Sequence, residues 1–141
     1  MIIKSQTLKR LEDQISWYDQ KSQTNKKWWH SLKALELVVA VAISSLATFD
    51  GLPKYLLSIM GMTIAIVEGL LQLFQFHDNW FNYRSTCEKL RHEKYLWYAG
   101  AGYYQDPQDE RILADRIESL ISQEHAQWIS GQKLLIQKVK N

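Results

Sequence analysis

The chain reads as an all-α membrane protein: a transmembrane helical hairpin continued into a long cytosolic helical stalk, with three long helices per subunit, oligomeric. Three observations predict this. Residues 35–49 (LELVVAVAISSLATF) and 55–76 (YLLSIMGMTIAIVEGLLQLFQF) are apolar runs carrying one charge each, Glu36 and Glu68. Only the turn at 50–54 (DGLPK) separates them, so the two must be antiparallel neighbours. Elsewhere apolar residues recur at steps of three and four among polar ones, the signature of amphipathic helices.

The second run spans about 33 Å as a helix, the thickness of a bilayer's hydrocarbon core. The first gives about 22 Å, or about 27 Å if residues 31–34 join it with Lys33 snorkelling to the headgroups. The competing reading is a buried αα-hairpin in a soluble bundle, since short apolar runs often mark core helices and intramembrane carboxylates are costly. Against it, both runs are apolar on every side and lack the polar stripe of a surface helix. A chain of 141 residues also has little other structure with which to cover them.

Composition narrows the function classes. The chain reads as one domain over 1–141. Its net charge of +2 is too small for a nucleic-acid binder. The single Cys87 allows no intrachain disulfide and no zinc spacing, and a free thiol suits the cytosol. Residues 1–30 are too long and too acidic for a secretory leader, although Ala40-Val41-Ala42 has the look of a cleavage site; no removable signal peptide is expected.

Taken in order, residues 1–5 are expected to fray. Leu8, Leu11, Ile15 and Tyr18 then mark one helical face. With no Pro or Gly before residue 51, one helix is expected from about Thr7 to Thr48, cytosolic over 7–34 and apolar beyond. Trp28 and Trp29, beside Lys26, Lys27 and Lys33, are what a headgroup region favours; the alternative is a bundle contact. Pro53 suits the first turn of the next helix. That helix has no evident stop before Gly100, so it is expected to run unbroken from Lys54 to Ala99, its cytosolic part over 77–99. The segment Ala99-Gly100-Ala101-Gly102 is a helix stop rather than a phosphate loop, because no strand precedes it and no lysine follows. Asp106 and Pro107 read as N-cap and first position of a third helix over 107–138, with Asp109 and Glu110 in its first turn. Its face of Leu113, Ile117, Leu120, Glu124, Trp128, Gly131 and Leu135 should pack on Leu8, Leu11 and Ile15 and on the outer part of the second helix, and Lys138 and Lys140 suit its C-terminal end.

Charge sets the orientation. Seven Lys and Arg lie in residues 1–33, one in the turn and nine in 77–141. The positive-inside bias places the chain in the cell (inner) membrane with both termini cytoplasmic and the turn outside.

On the second span Glu68, Gln72 and Gln75 share a helix face, and polar groups in hydrocarbon normally face a bundle interior or a wet cavity. Gly61, Ala65 and Gly69 form a separate ridge of small residues that permits close helix contact. Glu36, Ala40, Ser44 and Thr48 do the same on the first span, where Ala40 and Ser44 are the packing positions. Glu36 and Glu68 are each 13 residues from the turn-side end of their run, which puts both at one depth, about 20 Å below the outer boundary. In a symmetric oligomer Glu68 would ring a cation path with Gln72 and Gln75 as its inner vestibule, and Glu36, at the same level, is a further candidate to line it. The plainer reading has Glu36 snorkelling beside Lys33 and Glu68 hydrogen-bonded in packing. Trp80, Tyr83 and Arg84, with Trp28 and Trp29, are the candidate interface anchors, Arg84 pairing with Asp13, Asp19 or lipid phosphate. His77-Asp78 and His92-Glu93 lie too far apart, and lack a third ligand, for a metal site. No Ser/His/Asp or Cys/His set shares a cleft, so no enzyme activity and no cofactor are expected.

Trp17-Tyr18-Asp19 with Lys21, Trp80 with Tyr83-Arg84-Ser85-Thr86, Glu93-Lys94 leading into Ala99-Gly100-Ala101-Gly102-Tyr103, and Glu124 with Trp128 occur here in an order that resembles the SLATT superfamily. These are small bacterial proteins with two transmembrane helices, found beside nucleotide-signalling and defence genes, with a stand-alone branch of unknown function. The resemblance covers residues 8–128. It implies an oligomeric membrane protein that forms a pore, either an ion channel or a cell-killing effector, and it carries over no catalytic residue. The expected function is therefore an oligomeric membrane pore, a cation-conducting channel or a pore-forming effector, in the lipid bilayer and as a homo-oligomer. The alternative is a membrane-anchored, non-conducting helical module for a cytosolic signalling or defence partner. Two spans alone cannot enclose water, so conduction requires several copies.

Overall fold

The computed structural model describes residues 5–49, 51–105 and 109–140. Within these it is all helical: α1 (Gln6–Leu46), α2 (Lys54–Phe74), α3 (Phe76–Ala99), a single 3-10 turn (Gly102–Tyr104) and α4 (Glu110–Lys140), with no strand among the described residues. The expectations for residues 1–4, Asp50, Asp106 and Pro107, and for the side chains of Leu135, Lys138 and Lys140, lie outside what is described.

Although the sequence reads as one domain, the chain packs as two compact units. One joins Met1–Gln20 to Asn82–Asn141; the other is Lys21–Phe81. α1 and α3 each contribute to both.

The first unit holds the core. Leu11 and Tyr18 of α1, Cys87, Leu90 and Trp97 of α3, Tyr104 of the 3-10 turn, and Leu113 and Ile117 of α4 are buried together, with Leu8, Ile15, Tyr83, Leu96, Leu120 and Ile121 packed against them. This is the packing expected of the third helix, on the Leu8, Leu11 and Ile15 face of α1. Each fully buried aliphatic side chain stabilises the fold by about 1.5–3 kcal/mol. The face weakens further along α4, where Trp128 is 44 % exposed.

The glycine stop after α3 is a Schellman motif. Gly100 takes a positive φ of 58°, its N–H donates to the Trp97 carbonyl at 3.2 Å, and the Ala101 N–H reaches back to Leu96 at 3.1 Å. Gly102, at φ 66°, starts the turn that carries Tyr104 into the core. α4 begins at Glu110, and the Asp109 carboxylate accepts the Arg111 N–H at 2.9 Å. Asp109 is thus the cap rather than a first-turn residue.

Helix 2 is not continuous from Lys54 to Ala99. Gln75 adopts left-handed backbone, φ 46° and ψ 41°, and divides α2 from α3. Hydrogen bonding nevertheless bridges the break: the Gln75 N–H donates to Leu71 at 3.1 Å and the Asn79 N–H to Gln75 at 2.9 Å. The Asn79 side-chain amide donates to the Phe74 carbonyl at 2.9 Å, supplying the partner that the break removes. Neither Gly nor Pro marks this position, which is why composition did not signal it.

In the second unit α1 ends at Leu46, three residues short of the predicted span's end, and Gly51 turns the chain at φ 105°. Thr48 Oγ1 donates to the Ser45 carbonyl at 2.8 Å, satisfying one of the acceptors freed at the helix end. Pro53 sits at the N-cap of α2, one position before the first turn, with extended backbone.

Candidate functional site

The hairpin unit joins charges, aromatics and exposed apolar surface. α1 and α2 each contain a window long and apolar enough to cross a membrane, yet none of the α1 window and 11 % of the α2 window is buried. Val67 and Leu71 are its buried apolar residues among those described, whereas Leu37, Val38, Ile59, Met62, Ile66 and Leu73 are each more than half exposed.

Glu36 and Glu68, matched in depth by the sequence, come together through Lys33. Its Nζ donates to Glu36 Oε2 at 2.9 Å and to Glu68 Oε2 at 2.8 Å. Gln72 adds a side-chain hydrogen bond to Glu68. The sequence suggests only that Lys33 reaches the headgroups; the structure has it join the two carboxylates. Its signals were the i, i+3 spacing to Glu36 and the equal depth of the two acids. Gln75 takes left-handed backbone and serves as the C-cap of α2. By formal charge the trio sums to one negative.

The small residues face open space. A Cβ built on Gly61 or Gly69 would meet nothing within 4 Å, and Ala65 between them is exposed. On α1, Ser44 is exposed and donates to the Ala40 carbonyl at 3.1 Å, so its hydroxyl is satisfied within its own helix.

An aromatic cluster lies where the apolar runs end. Trp28 stacks with Phe76 at 6.3 Å, and Trp29 packs with His77 at 5.2 Å and Trp80 at 6.3 Å. Lys26 Nζ lies 5.5 Å from the Trp80 ring centre, a cation–π contact. Tyr83 and Arg84 belong elsewhere, in the core unit. Tyr83 packs against Trp17 and Tyr18 at 5.9 and 6.0 Å. Arg84 pairs with Asp19 at 3.3 Å and Glu88 at 2.5 Å, and Arg91 also reaches Asp19 at 3.3 Å.

The core unit carries buried charges of its own. Glu93, 3 % exposed, accepts a hydrogen bond from Tyr104 Oη at 2.6 Å and is paired with Arg116. Burial pushes the Glu93 carboxyl up, but the Arg116 and Tyr104 hydrogen bonds outweigh it and hold the group below the usual carboxylate range. Burial and the hydrogen bond to Glu93 together raise the Tyr104 phenol. The Arg116 guanidinium also lies 4.2 Å from the Tyr103 ring. Glu124, 7 % exposed, accepts from Tyr18 Oη at 3.3 Å, and the Tyr18 phenol is raised first by its burial and then by that carboxylate. Tyr104 and Arg116 carried no periodic signal, because their partner Glu93 lies on another element.

Among the described residues no three His, Cys, Asp or Glu side chains gather as a metal-holding group. Neither the curated proteins nor the solved structures contain a match to this chain. A family model does match, over residues 13–111, which takes in the whole hairpin unit, α3 and the glycine stop. Nothing in that match speaks to the SLATT resemblance. Covering more than two thirds of the sequence, it places the chain in the DUF4231 family, whose members are proteins of unknown function.

Proposed function

We propose that the chain crosses the inner membrane twice, with both termini cytoplasmic, and assembles in several copies into a cation-conducting pore. The observation that carries the membrane part is the apolar hairpin left uncovered by its own chain. In water such a surface would far exceed the apolar patches that monomers tolerate; in lipid it needs no cover.

Assembly is supported by the open ridge of Gly61, Ala65 and Gly69, where a neighbouring helix could approach closely. The Lys33, Glu36 and Glu68 trio bears on conduction. Pairing reduces the cost of placing these charges in hydrocarbon and leaves one negative charge per subunit at a common level, a ring that favours cations. Gln72 extends its polar face. The role matches what the SLATT resemblance implies, as housekeeping channel or as killing effector; toxicity with loss of membrane potential on expression separates the two.

One observation favours a second reading. Lys33 already neutralises much of the acidic pair within a single chain, as it would in a hairpin that conducts nothing and serves as an anchor for a cytosolic partner. Ion flux through purified chain in liposomes decides between them. The pore reading predicts cation flux whose preference over anions falls in Glu68→Gln. Absence of flux, or unchanged reversal potentials in that variant, would contradict it.

A further inference from the structure

Between Asp19 and Glu36, α1 carries Lys21, Lys26, Lys27 and Lys33 and no carboxylate. Lys33 is committed to Glu36 and Glu68, and Lys26 lies over Trp80. Lys27 is exposed and makes no ion pair among the described residues. It lines an open cleft of about 300 Å³ together with Thr24, Trp28 and Ser31. Their spacing of three, one and three keeps all four on one side of α1 over about 10 Å. The same face continues through Leu35 and Val38, which are 46 % and 66 % exposed. A cationic, hydroxyl-bearing cleft is thus followed, one helical turn on, by an uncovered apolar track. The stacking of Trp28 on Phe76, the last residue of the second apolar run, fixes the level at which one gives way to the other.

We propose that this cleft binds an anionic phospholipid of the inner leaflet. Lys27 Nζ and the Ser31 hydroxyl donate to the headgroup phosphate, Trp28 covers the glycerol region, and an acyl chain follows Leu35 and Val38. Charge complementarity selects the anionic headgroup, and the apolar track selects a lipid over a soluble phosphate. The inference rests on the membrane reading but not on conduction.

The test uses the full chain purified in neutral detergent, with thermal stability followed as phosphatidylglycerol, phosphatidylcholine or inorganic phosphate is added, and with flotation on vesicles of either lipid. Phosphatidylglycerol should raise the melting temperature at lower concentration than phosphatidylcholine, and inorganic phosphate should do nothing. Lys27→Gln should weaken the phosphatidylglycerol effect about fivefold, the loss of one lysine at the surface. Lys27→Arg should preserve it, as should Lys54→Gln at the opposite end of the hairpin. Equal responses to the two lipids, a response to inorganic phosphate, or full preference in Lys27→Gln would overturn the proposal. Flotation without lipid preference would defeat this inference alone, whereas failure to float on either lipid would defeat the membrane reading beneath it.

Discussion

Lys33 holds two carboxylates at once, and that geometry makes a prediction opposite in sign to the Glu68 substitution. In Lys33→Gln the acids lose their shared cation, so on the proposed pore reading the charge each chain brings to that level becomes more negative. Cation preference in a planar bilayer should rise, and the melting temperature in detergent should fall because two adjacent carboxylates repel. A fall in cation preference would contradict the placement of the trio at the path. In the core unit, Glu93 and the two buried tyrosines bound a pH window. The Glu93 carboxyl is depressed, so its contribution to stability is present above the unfolded value of about 4.3 and is lost as pH falls through the folded one. The Tyr18 and Tyr104 phenols are raised, so their contribution is complete below about pH 10 and is lost as pH climbs toward their folded values. Denaturant midpoints should therefore be flat between these limits and decline on both sides. Tyr104→Phe should lower the plateau by about 1–2 kcal/mol, through the lost hydrogen bond to a buried charge, and should soften the alkaline decline. An unaltered alkaline limb would remove Tyr104 from that role.

At the scale of elements, the break at Gln75 stores strain. A non-glycine residue in left-handed backbone costs about 1–2 kcal/mol, and the chain tolerates it because the Asn79 amide and the bridging backbone bonds satisfy the groups around it. Gln75→Gly should raise the melting temperature, and Asn79→Ala should lower it by stranding the Phe74 carbonyl, at a cost of about 1 kcal/mol. If Gln75→Gly instead destabilises, the backbone there is not left-handed. This break marks the limit of what periodicity reveals. Apolar spacing from Leu70 through Trp97 runs on without a breaker, and a cap formed by Asn79 leaves no compositional trace. The amphipathic faces, by contrast, were legible: Leu8, Leu11 and Ile15 meet Leu113 and Ile117 because burial enforces the spacing that sequence displays. So was the Gly100 stop, since the positive φ of a helix C-terminal stop favours glycine. Contacts that join distant elements, such as Lys33 to Glu68 and Arg116 to Glu93, depend on packing and carry no local signal.

For the whole molecule, one fact has to be reconciled with a stable protein: the hairpin unit leaves most of its apolar surface bare while the core unit holds a buried apolar cluster. A bilayer around the hairpin accounts for both. The proposed topology rests on the lysine and arginine distribution; on it a cysteine at Lys54 should react with a membrane-impermeant maleimide added outside intact cells, while one at Lys89 should not. Labelling in the reverse pattern would invert the orientation. The most direct measurement of the central claim is the partition of the full chain after lysis and an alkaline wash. Retention in the membrane pellet, with release by detergent alone, is the result this account predicts. Recovery as a monodisperse, detergent-free protein in the supernatant would contradict it.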